Sequence, residues 1–190
     1  MRTTLAALAL LALSSCGPDM PVIEATEAST SESSLPTIPF GEARLGGNLE
    51  ISVNSVEERS AVGVYGMGPK LSPGETFVVV RYTLKNTSKK PIESFNLPGV
   101  ELIDGQDQAY AEDSEAEMVE AIKNEDSSGA LNPKVSAKKT AVWKLDKASF
   151  DKATWRLKVP LDQTLEARVD KVAKWPMDAN APRPLIFALK

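Results

Sequence analysis

The sequence predicts a mostly β protein: an immunoglobulin-like antiparallel β-sandwich with a short helical insertion and a carboxyl-terminal extension. Three observations predict it. In Pro73–Asn86, PGETFVVVRYTLKN, residues Val78, Val80, Tyr82 and Leu84 alternate with Arg81, Thr83 and Lys85, the period of a strand with one buried face. Ala153, Trp155, Leu157 and Val159 alternate with Thr154, Arg156 and Lys158 in the same way. Turn-forming pairs, Pro73-Gly74 and Asp104-Gly105 among them, recur at short intervals between such runs.

The chain has 190 residues, enough for one domain plus terminal extras, with 42% hydrophobic and 25% charged residues. Its net charge is −4, and removal of Arg2 with a leader leaves 21 bases against 26 acids, or −5. Such a domain has no bulk attraction for nucleic acid or anionic lipid. With no histidine and one cysteine, it lacks Ser-His-Asp and Cys-His pairs, the usual zinc ligand sets and any intramolecular disulfide. Carboxylates, lysines, tyrosines and hydroxyls remain for chemistry. No catalytic residue, metal ligand or cofactor site is expected.

Residues 1–15 have the plan of a secretory signal: Arg2, then the Leu/Ala run Leu5 to Leu13, too short to span a bilayer. Leu13-Ser14-Ser15-Cys16 resembles the bacterial lipobox. That resemblance implies a diacylglycerol on the Cys16 thiol and cleavage just before it, and hence an extracytoplasmic protein anchored to a bacterial membrane. A free thiol, or cleavage around Ala12-Leu13-Ser14, is the alternative. Residues 16–40 are rich in Ser, Thr, Glu and Pro and read as a disordered tether with a reach on the order of 30 Å.

Residues 41–160 hold the expected sandwich. Leu49, Ile51 and Val53 alternate with Glu50, Ser52 and Asn54, and Val56 falls off that parity, a sign of a bulge or of the strand's end. Glu57 to Ser60 reads as a turn and Ala61 to Tyr65 as a short return strand. Gly63, Gly66 and Gly68 form a permissive loop rather than a phosphate cradle, since no Lys-Ser/Thr follows and Pro69 removes a donor. On the central strand, Phe77 and Val79 break the polar face and call for a covering segment.

Val100 and Leu102 mark a strand that Asp104-Gly105 turns into a hairpin with Gln106 to Tyr110. The nearby acids Asp104, Asp107, Glu112 and Asp113 do not match calcium-loop spacing. Ser114 to Lys123 changes to a helical period: Ser114 and Glu117 fit a capping box, and Met118, Ala121 and Ile122 share a face. This helix is expected across an end of the sandwich. Glu112 to Asp126 holds seven acids and one base, a solvated helix face or a recruiter of a basic partner. In Val135 to Leu145, residues Ala141, Trp143 and Leu145 point inward, with Lys138, Thr140 and Lys144 outward. Trp143 and Trp155 read as facing core residues rather than sugar platforms.

Residues 161–190 form the extension. Leu161, Leu165, Val169 and Val172 fit a helical stripe, while Leu165, Ala167 and Val169 also fit a strand. The apolar run Leu185 to Leu189 is expected to pack on the sandwich and to cover Phe77 and Val79.

In order, Gly74-Glu75, Phe77 to Asn86 running into Thr87-Ser88-Lys89-Lys90-Pro91, Val100 to Gly105 leading to Tyr110, and Leu131-Asn132-Pro133 are similar to one bacterial family. It is the telokin-like domain of unknown function found in secreted proteins and lipoproteins. The resemblance spans Leu49 to Val159 and implies fold and location. It supplies no activity and no binding residues.

The leading functional reading is a non-catalytic binding module at the cell envelope, held to the membrane through Cys16 and contacting a protein partner. Arg81, Lys85, Lys138, Lys144, Arg156 and Lys158 point outward and are a candidate basic surface. A second reading is a carboxylate-based envelope hydrolase, with Glu101 and Asp104 as candidates. A third is an assembly factor that pairs through an exposed sheet edge.

Overall fold

The computed structural model describes residues 35–161 and 183–190. The signal, Cys16, most of the tether and the ambiguous stripe after Leu161 lie outside the described residues. Among the described residues, nine strands and one α-helix follow in order: β1 (Thr37–Ile38), β2 (Ala43–Gly46), β3 (Leu49–Arg59), β4 (Glu75–Asn86), β5 (Glu101–Ile103), β6 (Ala109–Tyr110), α1 (Ser114–Lys123), β7 (Ser136–Asp146), β8 (Arg156–Val159) and β9 (Leu185–Ala188). They form a mostly β, two-sheet sandwich. One sheet runs β2-β3-β4-β7 and the other β1-β9-β8-β5-β6. All pairs are antiparallel except β1–β9, which is parallel.

β4 is the centre of its sheet, flanked by β3 and β7 along its full length. Val78, Val80, Tyr82 and Leu84 enter the core between the sheets, against Leu102, Leu157 and Phe187 of the other sheet. Trp143 and Trp155 are buried there too, as core residues. The Trp143 indole donates to the Tyr110 carbonyl at 3.0 Å, and Trp155 stacks on Tyr110 at 4.8 Å. A buried indole needs that partner for its N–H.

The off-parity Val56 is explained by a bulge. Register passes from Val53↔Tyr82 to Ser55↔Arg81, leaving Asn54 as the extra residue and returning Val56 to the core opposite Val80. The strand then continues to Arg59, so Glu57 to Arg59 is ladder rather than turn. Ala61 to Tyr65 is not a return strand: it opens into a 3-10 turn at Val64–Gly66. Gly63 (φ 78°) and Tyr65 (φ 54°) are left-handed there, which no ladder tolerates.

At the other end of β4, Asn86 is fully buried and forms four side-chain hydrogen bonds. It donates to the carbonyls of Lys90 and Leu131 and accepts from the Ser88 amide and hydroxyl. The expected turn is thus an asparagine-centred knot that ties the Ser88–Lys90 turn to the segment of Leu131. The Asp104 turn is also as expected: β5 and β6 pair across it, and its carboxylate accepts from the Gln106 and Gln108 amides and the Tyr110 hydroxyl.

Ordered chain begins earlier than the tether reading of 16–40 implied, because Thr37 and Ile38 pair with Ile186 and Phe187 and Ile38 is buried. The run Leu185 to Leu189 does pack on the sandwich, as a strand between β1 and β8. It does not cover Phe77 and Val79. Those side chains lie on the outer face of the other sheet, beneath α1, in a cluster with Val62, Ala116 and Val142.

Candidate functional site

Helix α1 and the loop from Val62 to Gly68 together form a platform on the outer face of the β2-β3-β4-β7 sheet. The helix starts one residue earlier than the capping-box reading placed it. Asp113 is the cap, its carboxylate accepting from the Ala116 amide at 3.0 Å, while its own amide donates to the Val142 carbonyl of β7 at 2.7 Å. Glu115 and Glu117 in the first turn and Lys123 in the last suit the helix dipole. Beyond the helix, the Ser127 amide donates to the Lys138 carbonyl and the Thr140 hydroxyl to the Asp126 carboxylate. Both ends are therefore tied to β7, and the helix lies across a sheet face instead of an end of the sandwich.

The helix also turns a different face inward from the one expected. Ala116 and Glu120 are buried and Val119 half-buried, whereas Met118 (58% exposed) and Ile122 (69%) face solvent. Glu120 decides this orientation. Its carboxylate accepts from the Gly63 amide at 2.8 Å and from the Arg59 guanidinium at 2.5 Å. Lys123 and Arg81 stand at 3.5 and 3.7 Å, and Arg59 bridges on to Glu57 at 2.6 Å. Burial pushes the Glu120 carboxyl up, but the Gly63 amide, the Arg59 and Lys123 charges and Asn124 together hold it below the ordinary carboxylate range. A fully paired buried carboxylate outweighs two methyl-bearing side chains left in water.

The loop is fitted to the helix by its glycines. A Cβ on Gly63 would lie 3.1 Å from the Val119 side chain, and one on Gly68 would meet the Val62 carbonyl at 2.9 Å and Val119 at 3.0 Å. This close seating fixes the loop that carries the exposed Tyr65 (97%) and Met67 (80%) against the helix. Exposed aromatic and methionine side chains on a braced base are the composition of contact surfaces.

A second feature at the amino end of α1 is a carboxylate pair. Burial, the Glu117 charge and a hydrogen bond with Glu117 push the Glu112 carboxyl up to about 8, against a weaker opposing bond from the Val100 amide. The sequence shows Glu112 among the acids of a calcium-type loop and Glu117 as a capping residue but does not pair them, and it does not single out Arg59 or Glu120. Alternation cannot show which member of an acidic run is buried.

The six outward cations do not form one surface. Arg81, Lys85, Lys138 and Lys144 belong to β4 and β7, whereas Arg156 and Lys158 belong to β8 in the opposite sheet, with the core between. Arg81 joins Glu57 and Glu120, Lys85 pairs with Glu50 at 3.0 Å, Arg156 with Asp107 at 2.5 Å and Lys158 with Glu101 at 3.0 Å. Lys138 and Lys144 are exposed on β7. Of the expected carboxylate pair, Glu101 is thus held by Lys158 and Asp104 by its turn. A pocket of about 260 Å³ opens between Phe95, Pro98, Glu101 and Pro160.

Residues 39–151 match the domain of unknown function DUF4352. The chain belongs to that family. The matched span contains β2 to β7 and α1, and with them every residue of the platform. The chain is 38% identical over 117 residues to the uncharacterized protein YxkC of Bacillus subtilis, covering 60% of this chain and 65% of that protein. The match therefore spans a little under two thirds of the relative's length. A crystal structure of a conserved hypothetical protein from Bacillus anthracis superposes with a TM-score of 0.58 at 29% identity, over 66% of this chain and 90% of that one. The yjhA protein of Bacillus subtilis shares the fold, with a TM-score of 0.54 at 15% identity over 80% and 99% of the respective chains. No helix among the described residues is long and apolar enough to cross a membrane.

Proposed function

We propose that this chain is a lipid-anchored extracytoplasmic protein whose telokin-like, immunoglobulin-like domain is a non-catalytic interaction module. Its contact surface is the platform of α1 and the Val62–Gly68 loop. One observation carries the reading: four large apolar side chains, Tyr65, Met67, Met118 and Ile122, are held in solvent on a base braced by the buried Glu120. A helix free to choose would turn Met118 and Ile122 inward. The anchor rests on Leu13-Ser14-Ser15-Cys16, with acyl chains contributing about 0.8 kcal/mol per buried methylene to membrane binding. Edge pairing is the weaker mode on β7, since the Val142 and Lys138 carbonyls already accept from Asp113 and Ser127.

Two measurements test the proposal. A fatty-acid label enters the wild-type chain in cells and is lost in Cys16→Ala; label retained by the variant removes the anchor. A photo-cross-linking residue at position 65 or 122 of the full-length chain forms adducts in the cell envelope, whereas one at the exposed Leu45 does not. Equal adducts at all three positions, or none at 65 and 122, remove the platform.

A further inference from the structure

β1 is joined to the rest of the domain by a short ladder and an exposed turn. Among the described residues it pairs only with β9, through Thr37↔Ile186 and Ile38↔Phe187, and its one buried side chain is Ile38, in the core between the sheets. Every residue from Pro39 to Leu45 is exposed. The turn back to β2 is closed by the Glu42 amide, which donates to the Pro39 carbonyl at 3.2 Å, with Gly41 left-handed at φ 81°. Straightening that turn frees Ile38 and the edge of β9, while the residues of the turn itself are already in solvent. Pro36 and Pro39 bracket the strand. Pro39 keeps Ile38 extended whether or not it is docked, so little backbone freedom is lost when the strand pairs. Neither proline has an N–H with which to lengthen the ladder.

We infer that β1 is an exchangeable strand, docking on β9 of a second copy while that copy's β1 docks in return. A second copy offers the same Thr37 and Ile38 in the same register, so the exchanged pair keeps each ladder and each buried Ile38 of the closed chain. What it gives up is the turn, one hydrogen bond in each copy, together with the entropy of association. A foreign extended peptide is the poorer occupant. It competes with a β1 held at high local concentration, and only a second copy returns a strand for the one it displaces. Pro39 to Glu42 fully extended reach about 13–14 Å, so the copies meet beside this turn in a closed two-fold pair. β1 and β9 belong to the sheet that does not carry α1, and exchange leaves the platform in place.

The test co-expresses two full-length chains with different carboxyl-terminal tags, one Thr37→Cys and the other Ile186→Cys, and oxidises the cells. Opposed ladder partners lie within disulfide reach, so a disulfide joining the two tags reports β1 of one copy on β9 of the other. It is expected above the background of wild-type copies, which carry only Cys16, and is absent when the exposed Lys144→Cys replaces Ile186→Cys. A Cβ on Gly41 meets nothing within 4 Å, so Gly41→Val strains the closed turn through its backbone alone. In analytical ultracentrifugation of the detergent-solubilised chain, this variant raises the dimerisation constant at least about tenfold. A chain with both cysteines that closes only on itself, with no disulfide between singly substituted copies, overturns the inference. Absence of either disulfide does so too, because β1 is then not seated on β9. A dimer indifferent to Gly41→Val places the contact elsewhere and overturns exchange, as does a monomer at every concentration in both wild type and variant.

Discussion

Replacing Glu120 by glutamine tests whether this buried charge sets the helix in place. The side chain is fully buried, and its carboxylate accepts from the Gly63 amide and the Arg59 guanidinium, with Lys123 and Arg81 nearby. Glutamine keeps the shape but removes the charge and turns an N–H₂ toward cations. Breaking a buried pair from one side costs about 3–5 kcal/mol. Here Arg59 keeps Glu57 at 2.6 Å and its side chain is 20% exposed, so the expected loss is about 2–3 kcal/mol. At about 2–4 °C per kcal/mol for a domain of this size, the Tm falls by about 4–12 °C. Circular dichroism melts of the two proteins at neutral pH measure this, and a second series in acid tests the cause. The folded carboxyl sits below its ordinary value of 4.5, so its contribution is present above that pH and lost as the pH falls through the folded value. The gap between wild type and Glu120→Gln therefore narrows in acid. A Tm change under about 1 °C at neutral pH, or a gap constant with pH, would refute the reasoning.

Glu112→Gln has the opposite pH signature. The Glu112 carboxyl is raised to about 8 from 4.5, so its folded form holds a proton the unfolded chain releases, and stability falls as the pH rises from 4.5 through 8. Glutamine mimics the protonated acid, so the variant melts higher than wild type at pH 8 and close to it at pH 5; equal gains at both would contradict this. Asn86→Ala leaves the Ser88 amide without its acceptor and removes one of two donors from each of the Lys90 and Leu131 carbonyls, and chemical denaturation is expected to show a loss of about 1–3 kcal/mol. Gly68→Ala forces the loop off Val62 and Val119; protection of the Gly63 amide from hydrogen exchange falls, while that of the β4 amides is retained.

The β-sandwich was legible because burial and alternation coincide on β4 and β8. The unbroken run Phe77 to Val80 even showed where both faces are covered. Its cover was misassigned because two segments of the sequence could supply one. The apolar tail attracted the assignment, yet Phe187 was needed inside the other sheet and Ala116, a small residue, let the helix backbone approach Phe77. The helix itself was found by its period but oriented by its methionine and isoleucine, when a carboxylate with two strong donors decided otherwise. Likewise the cations of β4, β7 and β8 share outward parity, but parity is local and says nothing about which sheet a strand joins. The platform became visible only with tertiary placement.

The parallel pairing of β1 with β9 also bears on how the chain is made. Ile38 faces Phe187 in the ladder, a separation of 187 − 38 = 149 residues. Loop closure of that span is slow, and high mean separation between partners slows folding generally. Among the described residues β1 has no ladder partner but β9, so that pairing waits until β9 has emerged from synthesis. A nascent chain can complete the β2-β3-β4-β7 sheet and seat α1 on it while its first strand still waits, so the platform is assembled before the fold is closed.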